Sequence, residues 1–123
     1  VREAAVIAVE AVDLSLGRLL HVVEELRGVA LVTADHGNAD EMYEWDAQRQ
    51  AFALDPATGQ PRPKTAHSLN PVPFYVFDPA GAGEYELRPV AGAGLANIAA
   101  TALNLMGFEA PAGYLPSLVG PRS

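Results

Sequence analysis

Val29-Ala30-Leu31-Val32-Thr33-Ala34-Asp35-His36-Gly37-Asn38-Ala39-Asp40-Glu41-Met42 is the stretch whose reading decides the fold. Residues 29–33 are too short and too evenly apolar for a surface helix, and their valine content suits a strand buried on both faces. The strand gives way to an Asp-His pair and then a Gly turn, which places a carboxylate and an imidazole where open α/β sheets collect ligands. A metal site would be built there, although Asp35 and His36 taken alone also read as ordinary turn residues at a strand end. A second marker lies downstream in Lys64-Thr65-Ala66-His67-Ser68-Leu69-Asn70-Pro71-Val72-Pro73-Phe74, where another histidine precedes another strand-like run.

Working outward, residues 2–26 carry Val9, Val12, Leu16, Leu19, Leu20, Val23 and Leu26 at three-and-four spacing, with Glu10, Asp13, Arg18, Glu24 and Glu25 between them. This pattern predicts an amphipathic helix, interrupted only by Gly17 and ended by Gly28. Residues 43–63 mix charges with Asp55-Pro56-Ala57-Thr58-Gly59 and the prolines 61 and 63, a turn chemistry that predicts a β-hairpin or a surface excursion. Tyr43 and Trp45 are expected to anchor it. Residues 71–78 predict a second strand with its prolines confined to the start. Helical spacing returns over residues 95–106, Gly107 stops it, and the proline-bearing tail 109–123 is expected to be irregular. The order helix, strand, excursion, strand, helix belongs to the α/β class, a layered sheet flanked by helices.

Composition narrows the chemistry. The chain has 123 residues, half of them hydrophobic, enough for one small domain with a core. A formal net charge of −7 argues against nucleic acid or an anionic membrane as the main partner. An anionic substrate then needs added positive charge, which divalent cations at the Asp-His pair would supply. With no cysteine, a metal must be held by oxygen and nitrogen. No apolar run approaches the roughly 18 residues of a membrane span, so a cytoplasmic setting is expected. The chain opens on Val1 with its apolar pattern already running, which reads as a piece of a longer polypeptide.

Residues 33–42 and 65–74 resemble two signature blocks of the cofactor-independent (2,3-bisphosphoglycerate-independent) phosphoglycerate mutases, members of the alkaline phosphatase superfamily. The run GLANIAATALNLMGFEAP at residues 94–111 is similar to the plant-like branch of that family. The resemblance implies that residues 1–123 are the C-terminal part of a partial alkaline-phosphatase-like, metal-binding domain, with its N-terminal part and a second domain absent. It implies that Asp35 and His36 ligate one of two divalent metal ions and that His67 ligates the other. Manganese comes first by that resemblance, with Mg²⁺, Co²⁺ or Zn²⁺ compatible by ligand type. The implied reaction interconverts 3-phosphoglycerate and 2-phosphoglycerate, in glycolysis and gluconeogenesis, through a phosphoserine intermediate. The parent is expected to be monomeric.

The nucleophilic serine and the remaining ligands of the family lie outside these residues, so the chain alone is expected to be inactive. Ser15, Ser68 and Ser117 fall in the wrong blocks and read as structural or surface hydroxyls. His21 reads as partly packed, Lys64 as a solvated loop lysine, and Asn38 and Asn70 as turn residues. Asp40 and Glu41 are candidates for orienting a ligating imidazole. Two other readings stand beside the mutase: another superfamily hydrolase or phosphomutase, and a non-catalytic binding module.

Overall fold

The computed structural model describes residues 2–81 and 83–122. Its contacts divide the chain into two compact units. One gathers the start of helix α1 (Arg2–Glu25) with residues 34–73; the other gathers the end of α1 with the remaining described residues.

The expected helix is present over nearly the predicted span, yet none of its residues is buried. Val9, Val12, Leu19 and Leu26 of the apolar pattern are all exposed, and His21 lies in solvent beside Glu25 rather than packed among apolar neighbours. Termination also differs in detail. Arg27 takes the left-handed conformation (φ 53°), and the Gly28 amide then donates to the Val23 carbonyl at 2.8 Å.

In the first unit, residues 43–63 form the predicted hairpin. Strands β2 (Trp45–Asp46) and β3 (Ala51–Phe52) pair antiparallel, Trp45 opposite Phe52. Asp46 Oδ1 closes the turn by accepting the amides of Gln48 and Arg49 at 2.9 and 3.1 Å. A second tip is organised the same way, with Asp55 Oδ1 accepting Ala57 and Thr58 at 2.8 and 3.1 Å. Trp45 and Tyr43 both meet Phe52 edge to face, at ring separations of 5.5 and 5.8 Å. They anchor the excursion, as expected.

In the second unit, β1 (Ala30–Thr33) and β4 (Phe74–Phe77) are the two predicted strands. They pair antiparallel with Leu31 opposite Val76 and Thr33 opposite Phe74. Burial on both faces is not found. Residues 30–32 are half-buried and Thr33 is exposed, because among the described residues the ladder holds two strands.

The tail corrects a second expectation. It is ordered into β6 (Val119–Pro121), which pairs antiparallel with β5 (Tyr85–Leu87). A single 3-10 turn (Leu95–Asn97) leads into helix α2 (Ile98–Leu105), which Gly107 ends at φ 83°. Among the described residues of this unit Asn97, Ala100, Thr101 and Val119 are buried, so its centre is half polar. Each polar member is satisfied. Thr101 Oγ1 donates to the Asn97 carbonyl at 2.8 Å and accepts the Leu118 amide at 2.9 Å. Asn97 Nδ2 donates to the Pro116 carbonyl at 2.8 Å, and its Oδ1 accepts the Gly94 amide at 2.9 Å.

Candidate metal centre

Asp35, His36 and His67 all belong to the first unit. An isolated antiparallel bridge pairs Gly37 with Ser68, the Ser68 amide donating to the Gly37 carbonyl at 2.9 Å. This bridge sets the residue after His36 against the residue after His67. The two imidazoles consequently stack, ring centres 3.6 Å apart and planes inclined by 30°.

Asp35 is largely exposed, and its Oδ1 lies 3.5 Å from His36 Nε2. Two ligands of one cation, each about 2.1 Å from it at a tetrahedral angle, are about 3.4 Å apart. The pair therefore has the spacing of two donors to one ion. On the far side of the ring, His36 Nδ1 is 3.2 Å from the Gly37 carbonyl. The tautomer with its proton on Nδ1 donates there and leaves the Nε2 lone pair on the Asp35 side. One carboxylate and two imidazoles are a donor set suited to Mn²⁺, Co²⁺ or Zn²⁺. Among the described residues, no three His, Asp or Glu side chains converge on a single point. The donors present form an Asp35–His36 pair with His67 stacked beside it.

The surrounding polar groups do something other than touch the rings. Asp40 Oδ2 accepts the Ser68 hydroxyl at 2.6 Å and the Asn70 amide at 2.5 Å. Those hydrogen bonds, Ser68 first and then Asn70, hold the Asp40 carboxyl below the usual carboxylate range. Glu41 Oε1 accepts Asn70 Nδ2 at 2.9 Å, and Glu41 Oε2 pairs with Lys64. The Lys64 contact is the main reason the Glu41 carboxyl is also lowered, with Asn70 second. Lys64 is thus ion-paired rather than solvated, and Asn70 bonds to carboxylates. Ser68 is buried, which fits a structural hydroxyl.

Gly37 makes this cluster possible. A Cβ there would land on Ser68 Oγ and come within 2.7 Å of Asp40 Oδ1. The contacts of Asp40, Ser68 and Asn70 escape a reading by residue type, since each alone looks like a loop residue. The usable signal is the glycine directly after His36, a position where two segments need close approach.

Comparisons with known proteins give the family. The model of the Metalloenzyme superfamily matches residues 2–110. A probable 2,3-bisphosphoglycerate-independent phosphoglycerate mutase of Leptospira interrogans is 45% identical over 98% of this chain, and the match spans 21% of that protein. The 2,3-bisphosphoglycerate-independent phosphoglycerate mutase of Trypanosoma brucei brucei is 45% identical and mutase 1 of Arabidopsis thaliana is 42% identical; each match covers 95% of this chain and 21% of the relative. The crystal structure of Leishmania mexicana phosphoglycerate mutase at low cobalt concentration superposes with a TM-score of 0.87 at 41% identity, over 98% of this chain and 22% of that one. The chain spans about a fifth of the length of the curated relatives it matches.

Proposed function

Because this chain belongs to the Metalloenzyme superfamily, whose membership implies divalent metal ions, we propose that Asp35 and His36 ligate one such ion and His67 a second, in a 2,3-bisphosphoglycerate-independent phosphoglycerate mutase. The observation that carries the reading is the stacked His36–His67 pair with the Asp35 carboxylate 3.5 Å from His36 Nε2. On this reading residues 1–123 supply the C-terminal part of the phosphatase-like domain. The alkaline-phosphatase-like fold is supported by the mixed α/β architecture and by the Leishmania structure, itself a phosphoglycerate mutase.

The proposed substrates are 3-phosphoglycerate and 2-phosphoglycerate, the ions are manganese, and the setting is the cytoplasm. No helix among the described residues is long and apolar enough to cross a membrane. When bound, divalent cations polarise a phosphoryl group and lower the pKa of an attacking hydroxyl. This chain's residues present the nitrogen and oxygen donors, and the Nδ1 contact to Gly37 fixes the His36 ring.

The three described serines are each engaged by the fold. The Ser68 proton is committed to Asp40, Ser15 donates to the Ala11 carbonyl within α1, and Ser117 Oγ accepts the Val119 amide. On the proposed reading the attacking hydroxyl belongs to the part of the relatives that this chain does not span, and the 123-residue chain should show no turnover by itself.

The complete gene product supplied with Mn²⁺ and 3-phosphoglycerate should form 2-phosphoglycerate, and His36→Ala or His67→Ala should lower kcat by about 100-fold or more. Release of inorganic phosphate without isomerisation would replace the mutase by a hydrolase. Full activity in both variants would sink the ligand assignment.

A further inference from the structure

We infer that Asp40 is the positioning residue that holds the His67 imidazole against that of His36, acting through Ser68 and Asn70. Its functional meaning rests on the proposal that these imidazoles are metal ligands.

His67 is exposed, so packing does not fix its ring. What is fixed is the chain around it. Downstream, one oxygen of Asp40 receives both the Ser68 hydroxyl and the Asn70 amide, at 2.6 and 2.5 Å. Upstream, Lys64 pairs with Glu41, the residue after Asp40. The segment 64–70 is therefore tied at both ends to adjacent carboxylates of the segment that carries Asp35 and His36. The Gly37–Ser68 bridge completes the alignment, and Ser68, buried between these partners, is its hinge pin.

Asp40 differs from its neighbours in this set. Glu41 shares Asn70 but does not reach Ser68, and the Ser68 hydroxyl has Asp40 as its acceptor. A buried hydroxyl deprived of its acceptor costs free energy and seeks another partner, and His67 immediately precedes it. Asparagine in place of Asp40 keeps an oxygen able to accept both bonds, whereas alanine keeps none.

Proton NMR on the full chain tests this. In the wild type the stacked rings should give an NOE between His36 and His67, and graded Mn²⁺ should broaden both. Asp40→Ala should abolish the NOE and raise the Mn²⁺ concentration for half-broadening about tenfold, while Asp40→Asn should restore both. The Trp45 indole signal should stay unchanged and so report an intact hairpin.

An NOE of wild-type intensity in Asp40→Ala would overturn the inference. If that variant displaces the Trp45 signal, Ser68→Ala decides instead: loss of the NOE supports the clamp, and its persistence overturns it. Mn²⁺ that broadens neither ring of the wild type overturns the metal reading alone, because the NOE comparison needs no metal.

Discussion

A methyl group at Gly37 is the smallest change that reaches the candidate centre. It would displace Ser68 Oγ and press on Asp40, so Gly37→Ala must move one of the two segments that carry the histidines. Overpacking of this kind costs about 1–3 kcal/mol, and the expected outcome is a lower urea midpoint together with loss of the His36–His67 stack. Tyr85 makes a separate prediction. Burial, then a 2.6 Å hydrogen bond to Asp78 Oδ2 and the charge of that carboxylate, push its phenol up to about 12. The folded value lies above the ordinary value near 10, so this contribution to stability is complete below about pH 10 and is lost as pH rises through 12. Titration by ultraviolet absorbance should show one of the four tyrosines ionising late, and Asp78→Asn should bring it earlier.

At the scale of elements, α2 and the tail are joined by side chains rather than by a continuous apolar face. Thr101→Val keeps the shape but leaves the half-buried Leu118 amide without its acceptor. The expected loss is about 1–3 kcal/mol, read as a lower denaturant midpoint with faster amide exchange in β6. The same chemistry explains why β5 and β6 were not legible in the sequence. Three-residue strands hold too little alternation to register, and the tail is rich in proline and glycine. Its order comes from Asn97 and Thr101, whose partners lie 19 and 17 residues away. The helices, the hairpin and the β1 and β4 runs were legible because apolar periodicity and Asp-Gly-Pro turn chemistry act locally. Asp35, His36 and His67 stood out for the same reason, lying at the ends of readable runs, whereas the Asp40 clamp exists only once two distant segments meet.

Across the whole chain, superfamily membership and the acidic balance are consistent with each other. A chain of net charge −7 attracts divalent cations, and its cysteine-free composition leaves imidazole and carboxylate to hold the ions that membership implies. The burial expected for β1 failed because amino-acid pattern records what a surface is suited to contact, not what covers it. Helix α1 makes the same point at greater length. Since none of its side chains is buried, exchanging Val12 or Leu19 for glutamine removes no packing from this chain, and a mutational stability scan would score those positions as tolerant. Surveyed in that way, the stripe would pass for a neutral surface, although its spacing is that of a seam.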